Sequence, residues 1–183
     1  MINNSLSFNS LTIICLHKKQ AEISCRDGYS MKNLIQIHKY LEPDRIIDII
    51  SDNKDEALKE LSGIICNSEL ITDPKLFLKK IYDREKLMST GIGYGIAVPH
   101  IRDKSIQDFV IALGRKVEGL EYESIDNKPV SLIFMIGASD TQDKDYIRLL
   151  SRLVLRLKNR SFVQKLLSAQ SPQDMYSLIK TQD

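Results

Sequence analysis

The stretch VSLIFMIGA, residues 130–138, is apolar at almost every position. A strand with one wet face alternates polar and apolar residues, whereas an uninterrupted run like this must bury both faces. In a water-soluble chain that requires helices above and below a sheet. Three shorter segments read as companion strands: RIIDII (45–50), which follows a proline, IAV (96–98), and DFVIALG (108–114).

Helical spacing fills the intervals. Ala57, Leu58, Leu61, Ile64 and Ile65 recur at one face behind the polar head SDN, and Asp73-Pro74 fit the N-cap and first turn of the helix KLFLKKIYDREKL. Beyond Asp140, Tyr146, Leu150, Leu153, Val154 and Leu157 share one face of a further helix. Two capping boxes then predict two more helix starts, Ser161 with Gln164 and Ser171-Pro172 with Asp174. The fold class expected is α/β: a single domain with a mixed β-sheet covered by helices on both sides.

With 183 residues, 43% hydrophobic and 27% charged, the chain is globular. A net charge of +2, with scattered Lys and Arg, gives no case for nucleic acid. No apolar segment approaches the roughly 20 residues that span a bilayer, so this is not expected to be a membrane protein itself. Cys15, Cys25 and Cys66 form no C-x-x-C pair, which suits a reducing cytoplasm better than a disulfide framework; Cys66 falls on the apolar helix face. Residues 1–30 differ in pattern. Their apolar stretch is short and precedes its basic residues, the wrong shape for a signal peptide, and the segment reads as a flexible extension or a mis-assigned start. Residues 31–183 form the expected domain.

Chemistry concentrates in STGIGYGIAVPH, residues 89–100, which brings Gly91, Gly93 and Gly95 close to one of the chain's three histidines. Such glycines either direct N–H groups at an anion or simply make a tight turn. The spacing is neither a P-loop nor a dinucleotide fingerprint. Pro99 fixes the backbone before His100, whose neutral ring offers a nucleophilic nitrogen near pH 7. Arg84, Ser89 and Thr90 lie just upstream and supply the charge and hydroxyls that a transferring phosphoryl group requires. His17 and His38 carry no such context. No other His or Cys stands at ligand spacing to His100, so neither a metal nor another cofactor is expected.

The stretch REKLMSTGIGYGIAVPH closely resembles the active-site signature of enzyme IIA components, fructose/mannitol class (type 2, including the nitrogen-regulatory branch), of the bacterial phosphoenolpyruvate-dependent phosphotransferase system. Arg84, Glu85, Ser89, Thr90, Gly91, Gly93, Gly95, Ala97, Pro99 and His100 match its pattern, and the likeness covers the chain from about Met31 onward. The resemblance implies that His100 accepts a phosphoryl group from a histidine-containing phosphocarrier protein. The group then passes to an enzyme IIB or acts as a signal to a regulatory target protein, in sugar transport or nitrogen regulation. It also implies that Arg84 neutralises the phosphoryl charge, while Ser89, Thr90 and the glycine-loop amides orient it. The family commonly carries a second histidine on the helix after the central strand. Here DYIRLLSRL puts Tyr146 at that place, and Arg148 is a candidate to replace the missing charge. Loss of that histidine leaves an alternative open, a non-catalytic regulatory interaction protein with lost or weakened phosphotransfer.

Overall fold

The computed structural model describes residues 35–183; Cys15, Cys25, His17 and the boundary at residue 30 lie outside the described residues. Six strands and five α-helices follow a short 3₁₀ turn at Ile37–Lys39. In chain order they are β1 (Leu41–Asp48), α1 (Lys54–Ile65), α2 (Pro74–Leu87), β2 (Gly91–Gly93), β3 (Ile96–Ala97), β4 (His100–Arg102), β5 (Val110–Leu120), β6 (Val130–Ala138), α3 (Asp143–Leu157), α4 (Arg160–Ser168) and α5 (Pro172–Gln182).

The sheet runs β1-β5-β6-β3-β2, with β4 also on β6. It is mixed: β1 lies parallel to β5, β5 antiparallel to β6, and β3 and β4 both parallel to β6. Strand β1 starts four residues before the expected RIIDII and includes Pro43. Proline is tolerated there because, among the described residues, β1 is an edge strand with one side free of ladder bonds.

Each face of the sheet carries its own core. Leu132, Phe134, Ile136 and Ala138 of β6 pack with Ile111 and Leu113 of β5 against α3, α4 and α5. Ile133 and Met135 join Val110 and Ala112 against Leu58, Leu61, Ile65, Phe77 and Ile81 of α1 and α2. The two-residue period of a strand sends neighbours to opposite faces, so the unbroken apolar run of β6 is what a strand covered on both sides requires. The expected fold class is the one observed.

The helix starts match the sequence reading with one correction. Asn53, Asp73 and Ser171 accept N–H bonds from Glu56, Leu76 and Asp174. For α4 the cap is Asn159, which accepts from the Phe162 N–H at 3.2 Å, and Ser161 lies inside the helix. Asn is as good a cap as Ser, and the one standing two residues earlier starts the helix first. Cys66 ends α1 half-buried, and burial pushes its thiol up to about 11, which makes it an inert sulfur.

Candidate functional site

Helix α2 ends at Leu87, and the chain turns through Met88, Ser89 and Thr90 into the hairpin β2–β3. Tyr94 and Gly95 form its tip with φ of 59° and 76°, the positive pair that a two-residue type I′ turn demands. Of the three glycines, Gly95 lies in this turn and Gly93 directly before it, both at positive φ. The Gly91 N–H donates to the Ser89 hydroxyl (3.2 Å) and the Tyr94 N–H to the Asp126 carboxylate (2.9 Å), so these two amides already serve the loop itself. A Cβ on Gly91 would stand 2.7 Å from Cα and Cβ of Ser124.

Strands β3 and β4 run along the same partner, Ile96 opposite Leu132 and His100 opposite Ile136, with a break at Val98–Pro99. Pro99 has no N–H, but its carbonyl accepts from the Ile136 N–H at 2.9 Å, which anchors the chain one residue before His100. The imidazole remains partly exposed. Its Nδ1 lies 2.6 Å from the Val98 carbonyl oxygen. A carbonyl only accepts, so Nδ1 carries the proton and Nε2 presents a free lone pair. Burial lowers the ring's pKa to about 4; the Val98 carbonyl opposes this, and the positive charge of Arg84 adds to it. The ring is therefore neutral at pH 7.

Arg84, in the last turn of α2, donates from Nη1 to the Met88 carbonyl at 2.8 Å, close enough to His100 for its charge to be felt there. Glu85, the next residue, is buried, and its negative charge opposes the lowering of the His100 pKa. Its carboxylate accepts the Thr90 N–H (3.0 and 3.1 Å) and the Thr90 hydroxyl (2.6 Å), and pairs with Lys54 Nζ at 2.9 Å. Burial opposes the charge on Lys54, yet Glu85 and Glu123 outweigh it and hold the lysine above its ordinary value. The ammonium also sits 4.8 Å from the centre of the Tyr122 ring. The Ser89 hydroxyl donates to the Tyr122 carbonyl at 3.1 Å. Both hydroxyls expected to face a phosphoryl group are thus engaged in holding the loop.

On the α3 side, the ring of Tyr146 lies 6.0 Å from that of His100 at 54°. Burial raises the phenol's pKa, against the charges of Arg102 and Arg84, so it stays a neutral hydroxyl. Arg148 is exposed and pairs with Asp145 at 3.0 Å. The guanidinium over the Tyr146 ring, 5.2 Å from its centre, is that of Arg102, which also pairs with Asp143. Sequence reasoning matched Glu85 to the signature without giving it a role, and passed over Arg102 and Lys54. The signal for Arg102 was its place two residues after His100, which on a strand means the same face. Among the described residues, no group of three or more His, Cys, Asp or Glu is arranged to hold a metal ion, and no helix is long and apolar enough to cross a membrane. His38 pairs with Asp183 at 2.8 Å.

A family model described as "Phosphoenolpyruvate-dependent sugar phosphotransferase system, EIIA 2" matches residues 39–182. The chain belongs to this family. Among relatives of this EIIA domain is the PTS system fructose-specific EIIABC component of Bacillus subtilis, 33% identical over 137 residues. That match takes in 75% of this chain but only 22% of the relative, so the chain spans less than a quarter of that protein's length. The Nitrogen regulatory protein of Shigella flexneri is 34% identical over 130 residues, covering 69% of this chain and 78% of the relative. Nitrogen Regulatory Protein IIA-Ntr from Neisseria meningitidis superposes with a TM-score of 0.72 at 26% identity, over 78% of this chain and 98% of its own. IIA mannitol from Escherichia coli, at a TM-score of 0.65 and 20% identity, shares the fold over 75% of this chain and 97% of its own. Membership supports a general role in phosphoryl transfer within the phosphotransferase system.

Proposed function

We propose that this EIIA domain is a phosphocarrier that accepts a phosphoryl group on Nε2 of His100 from a histidine-containing phosphocarrier protein. The observation that carries the reading is the Nδ1–Val98 bond, which fixes a neutral ring with its lone pair on Nε2. In the transfer step, the Nε2 lone pair forms the new N–P bond. The P–N bond of the donor breaks, and its electron pair returns to the donor's ring nitrogen. Nδ1 keeps its proton throughout, and the carbonyl of Val98 stabilises the positive charge that the ring gains as the bond forms. Arg84 offsets phosphoryl charge. Ser89, Thr90 and the three glycines act by shaping the loop, and Glu85 with Lys54 secures its root.

The acceptor downstream is an enzyme IIB or a regulatory target. We favour nitrogen-regulatory signalling, supported by 34% identity across most of the Shigella flexneri relative. We place the domain at residues 31–183, in the cytoplasm. Incubation with phosphoenolpyruvate, enzyme I and the phosphocarrier should label the wild-type protein with acid-labile, base-stable phosphate and leave His100→Ala unlabelled. Equal labelling of the two sinks the proposal. Tyr146, beside His100 where the family commonly has a histidine, favours a second reading in which transfer is weak and binding to a partner is the function. Pull-downs with wild type, His100→Ala and His100→Glu separate the two, because a signal carried by phosphate requires different partner sets.

A further inference from the structure

His100 and Arg102 are the first and third residues of β4, and Ile101 between them is buried in the core on the α1–α2 side. Alternation along a strand sends both flanking side chains to the opposite face, where α3 lies, with their Cα atoms about 6.6 Å apart. Pairing with β6, His100 opposite Ile136 and Arg102 opposite Ala138, makes that spacing rigid. Tyr146 stands between them as a shared wall, 6.0 Å from the imidazole and 5.2 Å from the guanidinium carbon.

The present partner of Arg102 is weakly held. Asp143 is 71% exposed, and an ion pair this open to solvent is only weakly favoured. It is also the first residue of α3, where the helix dipole favours a carboxylate whether or not a cation is near. Arg102 itself is 31% exposed and can reorient along the Tyr146 face. A phosphoryl group on Nε2 carries close to two negative charges, and a guanidinium can fork across two of its oxygens.

Resting on the assignment of His100 as acceptor, we propose that Arg102 is a catalytic residue of the phosphoryl site, released from Asp143 to grip the group that His100 receives. Arg84 and Arg102 then bracket the phosphoryl group from α2 and β4. Because a guanidinium stays protonated at all physiological pH values, this second charge does not titrate away. The exchange of Arg102 from Asp143 to phosphate also makes the first turn of α3 respond to the phosphorylation state.

The test uses the full chain with phosphoenolpyruvate, enzyme I and the phosphocarrier. Wild type must label and His100→Ala must not; if that fails, the acceptor assignment fails and Arg102 with it. Given labelling, Arg102→Ala should slow transfer roughly tenfold to a hundredfold. Methylguanidinium in solution should restore part of the rate, as it would not for a residue that only supports the fold. Wild-type speed in Arg102→Ala overturns the proposal. Nitrogen-15 spectra of the wild type, with the Arg102 Nε–H signal assigned through Arg102→Lys, decide the matter even if the alanine variant fails to fold. The signal must move when His100 is phosphorylated, and an unmoved signal overturns the proposal.

Discussion

At the level of single residues, the state of His100 follows from its surroundings. Burial and the nearby Arg84 charge disfavour a second proton, and the Val98 carbonyl holds the first on Nδ1. The lowered pKa has a definite sign. From neutral pH down to about 5 the folded ring stays neutral, so acceptance of phosphate from a small donor such as phosphoramidate should be nearly level. It should fall as pH drops through about 4, where Nε2 binds a proton. A midpoint near 6.5, the ordinary value for histidine, contradicts an acceptor whose surroundings hold the ring neutral. The same shift links to stability. Between 6.5 and about 4 the unfolded chain protonates this histidine and the folded one does not, so its contribution is present above 6.5 and is lost as pH falls through that window. Titrating His100→Ala alongside wild type in urea isolates that slope.

Among the elements, the hairpin β2–β3 shows why three glycines recur at alternate positions. Gly93 and Gly95 have φ of 84° and 76°, a region that costs a residue with a Cβ about 1–2 kcal/mol, while Gly91 is needed for space. Gly91→Ala pushes a methyl group to 2.7 Å from the Ser124 backbone, and we expect a loss of about 1–3 kcal/mol in urea unfolding. Because Ser89 and Thr90 lead directly into this hairpin, the same variant should accept phosphate more slowly. A Gly91→Ala protein as stable as wild type is incompatible with this packing. The helix caps were legible in the sequence because a cap and its N–H partner lie three residues apart. Asn159 was missed because Ser161-x-x-Gln164 offered an equally good local pattern, and local rules do not rank two overlapping starts.

Across the whole molecule, Arg115 ties the far end of the sheet to the C-terminal helices. Its guanidinium is 7% exposed, pairs with Asp48 of β1, and donates to the carbonyls of Leu166, Leu167 and Ala169 around the end of α4. Arg115→Met keeps bulk but leaves those acceptors unmatched, and we expect a loss of about 2–3 kcal/mol in chemical denaturation with His100 phosphorylation unaffected in the folded fraction. A smaller loss than 0.5 kcal/mol, roughly the size of a surface pair, disproves that tie. By itself the sequence determined that a strand is buried on both faces, where three of the helices after β1 begin, and which histidine stands in the signature, because each depends on residues a few positions apart. Only tertiary structure decided what surrounds that histidine. Burial of Glu85 on Lys54, the seat of Arg102 on Tyr146, and the bond from the Ser89 hydroxyl to the Tyr122 carbonyl all join segments distant in sequence. Such contacts come from strand register and helix packing, which no local periodicity records.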